Sequence, residues 1–199
     1  TISGDLITIG GTTTTQAGNA SLTTTANDVT LTGAVDISGN LTVASADDVV
    51  LSNTVSVDND ITVTADDINA ANTVDTLEGD MTITVTNEVD FNGNVSVDGA
   101  MTVTQSATTG SVDFTGGAID VDNDSSISGQ DITIAGVTTN AGNLSIAAQN
   151  DVNLNGTGDI SGNLTVTTAE ANGGDIDNAG VTVTADNDIS MTSADAIVL

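Results

Sequence analysis

One short phrase returns along this chain about every 20 residues: a glycine or asparagine, a small residue, then an apolar residue, threonine or serine, and another apolar residue. Gly39-Asn40-Leu41-Thr42-Val43 is followed by Asn59-Asp60-Ile61-Thr62-Val63, Gly79-Asp80-Met81-Thr82-Ile83 and Gly99-Ala100-Met101-Thr102-Val103. It recurs at Gly142-Asn143-Leu144-Ser145-Ile146 and Gly162-Asn163-Leu164-Thr165-Val166. A fixed period of this length, built on two-residue alternation, predicts a solenoid whose coils stack on a shared core.

Aligned coils show three apolar-x-apolar pairs each. In the coil from residue 79 these are Met81 and Ile83, Val89 and Phe91, and Val95 and Val97; in the coil from residue 39 they are Leu41 and Val43, Val49 and Leu51, and Val55 and Val57. Each pair is a short half-buried strand with its apolar residues turned inward. Gly, Asn and Asp between the pairs are read as corners taking left-handed backbone angles. The expected fold is all-β: a right-handed parallel β-helix, three short strands per coil and roughly ten coils, on the order of 45–50 Å long at ~4.8 Å per coil. Residues 1–199 form one domain, with Phe91 and Phe114 in the core.

A partial coil over 1–17 is expected, then coils beginning near 18, 39, 59, 79, 99, 123, 142, 162 and 179. An insertion at Thr108-Thr109-Gly110 should bulge from one corner, and Ala171-Asn172-Gly173-Gly174 is the expected soft spot. A longer duplication links Ile2-Ser3-Gly4 with Ile127-Ser128-Gly129, and Asp36-Ile37-Ser38 with Asp159-Ile160-Ser161. The end coils expose strand edges without Lys or Pro gatekeepers, so copies of the chain end to end, or neighbouring repeats of a longer chain, are the expected partners. With no basic leader before Thr1, the sequence is expected to be a mature or excised piece.

The composition excludes much chemistry. Lys, Arg, His, Cys, Pro, Trp and Tyr are absent, and 28 acidic residues give a formal charge of −28. Zinc sites, thiol nucleophiles and Ser-His-Asp triads are impossible by inventory. Nucleic acid and anionic membranes are poor partners without cationic groups, and no apolar run is long enough to span a bilayer. Cations are the natural counterparts.

Acidic residues stand before the second apolar pair of most coils, at Asp28, Asp48, Asp67, Glu88, Asp131 and Asp151, and Asp188 is placed in the same column. Stacked carboxylates about 5 Å apart repel by ~1 kcal/mol even in bulk water, and no basic side chain relieves them. Calcium, which takes carboxylate and carbonyl oxygens in flexible geometry, is the expected counter-ion. The corner clusters offer further ligands in Asp58 and Asp60, in Asp122 and Asp124, and in Asp186 with Asp188. The plain alternative is a set of solvated corners that keep the rod soluble.

The outward residues of the first strand form one column of Ser21, Thr42, Thr62, Thr82, Thr102, Ser145, Thr165 and Thr182. A second holds Thr23, Thr64, Thr84, Thr104, Thr167 and Thr184, interrupted by Ala44, Ala135 and Ala147. Such ranked hydroxyls resemble the ice-binding face of β-solenoid antifreeze proteins, although Thr is also an ordinary strand residue on a wet face. Sequons at Asn19, Asn40, Asn94, Asn123, Asn143, Asn155 and Asn163 follow from the corner-then-Thr repeat.

Strings such as Gly-Asn-Leu-Thr-Val followed by Asn-Asp-Val-x-Leu resemble the β-solenoid shafts of filamentous-haemagglutinin-type adhesins and related bacterial surface fibres. That resemblance implies a right-handed β-helix, secretion to the cell surface, and a structural or adhesive role with host or cell-surface glycans as partners. A polysaccharide-cleaving β-helix is the remaining alternative. It is disfavoured because Phe91 and Phe114, the only aromatics, are assigned to the core and no Lys or Arg is present to assist; no enzyme is expected.

Overall fold

The computed structural model describes residues 1–11, 13–15, 18–136, 138–169, 173–178 and 180–199, with backbone only for 13–15. The chain is an all-β parallel solenoid. Among the described residues nine coils follow one another, and Ile189–Thr192 with Ile197–Val198 begin a tenth. Their first and second strands join in an 18-stranded sheet and their third strands form a 9-stranded sheet. Every pairing is parallel and links a strand to its equivalent one coil away.

The register stacks like on like. On the first strand Leu41, Ile61, Met81 and Met101 form one inward column, and Val43, Val63, Ile83, Val103, Ile127, Ile146 and Val166 form the next. Leu41, Ile61 and Met81 are buried, whereas Thr42, Thr62 and Thr82 remain at least partly exposed, as the alternation predicts. Phe91 lies directly under Phe114 on the second strand, with ring centroids 5.2 Å apart and planes within 5°. Both are buried, as expected. Ile2 and Ile127 occupy equivalent positions, in line with the longer duplication.

The corner glycines act differently from expectation. No described non-glycine residue has a positive φ, and among glycines only Gly11, Gly18, Gly110, Gly173 and Gly180 do. Gly39, Gly79, Gly99, Gly142 and Gly162 are required by close approach instead. A Cβ on Gly79 would stand 2.3 Å from the Asn59 carbonyl carbon, and one on Gly162 would stand 2.5 Å from the Gly142 oxygen. The backbones of successive coils pass too near each other at this corner for a side chain to intervene.

Two coil boundaries are corrected. Val183–Ala185 pairs with Gly158–Ile160 and is the third strand of the ninth coil, so no coil begins at 179. The tenth opens at Ile189, which pairs with Leu164. The triplets at 58–60, 122–124 and 186–188 therefore precede the first strands of the fourth, seventh and tenth coils, marking every third coil at one corner. Of the expected soft spot, Ala171 and Asn172 lie outside the described residues.

Candidate functional site

Where a strand ends, the backbone must turn, and N–H groups at the turn need acceptors other than the sheet ladder. Asn and Asp provide them across coils. Before the first strand, Oδ1 of Asn19, Asn40, Asp60, Asp80, Asp124, Asn143 and Asn163 each accepts the backbone N–H of the equivalent residue one coil on, over 2.8 to 3.4 Å. Asn143 and Asn163 add an amide N–H donated to the oxygen below, at 3.0 Å in each case.

The predicted acidic column before the second strand uses the same device. Asp67 accepts from the Glu88 N–H at 2.8 Å, Asp131 from Asp151 at 3.1 Å, Asp151 from Asp175 at 2.9 Å, and Asp28 from Asp48 at 3.4 Å. Asp175, absent from the sequence-derived column, continues it by accepting from the Ala196 N–H at 3.0 Å. Asp188 does not belong there. Its N–H is bonded to Asn163 Oδ1, which places it in the first-strand ladder, because the residue after it opens a first strand. Asp60 and Asp124 share that ladder, while Asp58 and Asp122 follow third strands.

One part of the acidic column is electrostatically unusual. Carboxylate oxygens of Asp28, Asp47 and Asp48 all lie within 4.8 Å of one another. Asp47 was missed because it sits on the turn, beside the aligned position, although the adjacent Asp47-Asp48 pair is plain in the sequence. Asp48, Asp67, Glu88 and Asp90 then line a shallow groove of about 210 Å³. Partial burial, followed by the charges of Asp67, Asp47 and Asp28, pushes the Asp48 carboxyl from its ordinary 3.8 up to about 6.

Folding is consequently coupled to protonation of Asp48. The folded chain holds this proton up to about pH 6, whereas the unfolded chain releases it near 3.8. The associated stability is complete below the lower value, fades between the two and is absent at pH 7. Asp48→Asn is therefore expected to melt a few degrees above the parent at pH 7 and together with it near pH 4. A constant difference across that interval in thermal melts would refute the coupling.

The nine-stranded sheet handles its charges in another way. Its outward central column reads Asp36, Ser56, Asp75, Ser96, Asp120, Thr139, Asp159 and Thr184, a carboxylate alternating with a hydroxyl at every step. Thr139 donates to Asp120 at 2.5 Å and Thr184 to Asp159 at 3.2 Å. Alternation doubles the spacing between like charges and gives Asp120 and Asp159 a hydroxyl donor. Against that background the consecutive Asp28, Asp48, Asp67 and Glu88 stand out.

The hydroxyl face of the first strand is also present, with changed membership. Ser126 fills the step between Thr102 and Ser145, and Ser190 stacks on Thr165. Thr182 and Thr184 leave it: Thr184 stacks on Asp159 in the nine-stranded sheet and Thr182 immediately precedes that strand. Thr192 stacks on Thr167, and Ser128 lies between Thr104 and Ala147. Ala135 follows the second strand Asp131–Ile134 and does not interrupt the face.

The insertion at 106–110 bulges as expected, between Met101–Gln105 and Ser111–Phe114, where the preceding coil runs continuously through Met81–Phe91. Gln105 is turned inward and only 5 % exposed. Its Nε2 donates to the carbonyls of Thr86, Ala107 and Thr109 at 3.0 to 3.3 Å, and its Oε1 accepts the Gln130 N–H at 2.7 Å. This pinned loop forms one wall of a groove of about 470 Å³ that includes Ser128, Gln130 and Gln149. A glutamine at an inward position was the available signal, and apolar pairing alone passes over it.

No protein-family model, curated protein or solved structure matches the chain.

Proposed function

We propose that the chain is a shaft segment of an extracellular, cell-surface fibre, of the kind the filamentous-haemagglutinin-type resemblance implies, whose work is length and stiffness. The observation that carries this reading is the continuous stacking: parallel ladders link each of the nine coils to the next in both sheets and the ninth to the tenth in the larger one, around a shared, mostly apolar core. Ile2 and Leu6 on the first coil and Ile189, Ile197, Val198 and Leu199 on the last are exposed apolar residues beside open strand edges. In this reading they are covered by a further coil, either of a continuing chain or of another copy.

Negative-stain microscopy tests it. Rods that join end to end are expected, and deleting residues 189–199 should abolish joining if separate copies stack. Compact particles with no axial ratio would end the proposal. A second reading rests on the double hydroxyl column of the first-strand face, which would order water as an ice-binding surface; strong thermal hysteresis from single rods that never join would favour it instead.

Divalent cations, calcium first, are proposed as counter-ions of the corner at Asp28, Asp47 and Asp48. The support is contrast, since the nine-stranded sheet separates its carboxylates while this corner crowds them. In low salt, calcium should raise the melting temperature and EDTA should reverse the gain by mass action on the folded state. Superimposable melts in both conditions would remove the metal from the account.

A further inference from the structure

The chain contains four glutamines, at positions 16, 105, 130 and 149, and three of them line the one groove beside the 106–110 loop. The fourth, Gln16, lies outside the described residues. In a molecule with 28 acidic residues, no Asp or Glu among the described residues lines this groove; its polar groups there are the amides of Gln130 and Gln149 and the hydroxyls of Ser106, Thr108 and Ser128.

The wall is built rather than incidental. Four hydrogen bonds tie the Gln105 amide to the loop, to Thr86 and to Gln130. Gly110 takes φ 110°, which turns the chain back toward Ser111. Gly129 is needed as well, because a Cβ there would stand 2.8 Å from Val112 Cγ2 and 3.2 Å from Gln105 Oε1. With Gln105 spent on the backbone, the side-chain amides of Gln130 and Gln149 on successive coils remain available to a ligand.

The ligand class follows from what is present. A primary amide offers donor and acceptor on one edge, which matches two neighbouring hydroxyls, each of which can both donate and accept. The groove of about 470 Å³ falls within the roughly 300–1,000 Å³ usual for small-molecule sites. Anions are repelled by the surrounding charge, and a cation finds no carboxylate among the described lining residues. Ala107 and Ala147 supply small apolar surfaces for a sugar's C–H face. We propose that this notch binds a neutral saccharide, giving the shaft a lateral recognition site. The inference rests on the fibre reading above for its ligand being a surface glycan. Without an aromatic platform the affinity is carried by hydrogen bonds, so binding is weak and gains strength only by repetition along a fibre.

Saturation-transfer difference NMR on the whole chain tests this, using glucose, galactose, mannose and their neutral disaccharides at millimolar concentration, with galacturonate as the charged comparison. Transfer to at least one neutral sugar is expected, falling at least tenfold in Gln149→Ala and Gln130→Ala and persisting in Thr62→Ser. Gln149 is exposed and its side chain makes no internal bond, so its variant keeps the test valid if Gln130→Ala folds poorly. Absence of transfer to every neutral sugar, unchanged transfer in Gln149→Ala, or equal transfer to galacturonate overturns the proposal. Rods without sugar binding leave the shaft standing and remove the notch; sugar binding without rods does the reverse.

Discussion

Gly79→Ala is expected to destabilise the fold by about 1–3 kcal/mol, toward the upper end of what overpacking costs. The added Cβ would meet the Asn59 carbonyl carbon at 2.3 Å, the Asn59 oxygen at 2.6 Å and the Asp60 nitrogen at 2.6 Å. All three are backbone atoms, so relief requires that one coil lift from the next. Lifting stretches the Ile61 N–H bond to the Asp80 carbonyl, now 2.9 Å, and the Asp80 N–H bond to Asp60 Oδ1, now 3.0 Å. Gly180→Ala is the control. It has a φ of 78° but nothing within 4 Å of its Cβ, so its cost is conformational alone, about 1–2 kcal/mol. Urea melts that show Gly79→Ala as stable as the parent would mean that the coils are not in contact at this corner.

Phe91→Ala is expected to cost about 3–5 kcal/mol, the usual range for emptying a buried aromatic site. The ring is 1 % exposed and stacked on Phe114, itself between Phe91 and Ile134 in the column. Removing one ring also removes the partner of the other. A double-mutant cycle with Phe91→Leu and Phe114→Leu should therefore show coupling of about 0.5–1.5 kcal/mol. Additive losses in equilibrium unfolding would show that the rings do not touch.

The inward columns were legible because side-chain alternation in a strand fixes which residues share a face, and a one-residue slip would expose Leu41, Ile61 and Met81 together. Regular coil starts at 39, 59, 79 and 99 made the stacking readable by simple alignment. The tenth coil was not, since Val181-Thr182-Val183 imitates a first strand in composition while the lengthened ninth coil places its third strand at Val183–Ala185. Misplacing that boundary misplaced Thr182, Thr184 and Asp188 with it. The acidic column was visible, but its part in capping N–H groups was hidden: which atom an Asp faces depends on the path of the neighbouring coil. The corner glycines show the same limit. Sequence shows that a side chain is absent, and only the inter-coil distance shows whether conformation or space demanded it. Gln105 was overlooked because its polarity hid its inward position.

Each backbone bond between coils joins residues some 18 to 26 positions apart, as from Val55 N–H to the Thr73 carbonyl and from Asp186 N–H to the Ile160 carbonyl. The loop that must close to form a contact is thus set by one coil and not by the length of the rod. Once two coils have met, each addition repeats the same closure, so a longer version would grow at an undiminished rate per coil, like a zipper. The same geometry governs failure. A pull on one end loads only the last rung, which peels away before the next is strained, and withdrawal of the pull lets that rung settle back onto an intact template.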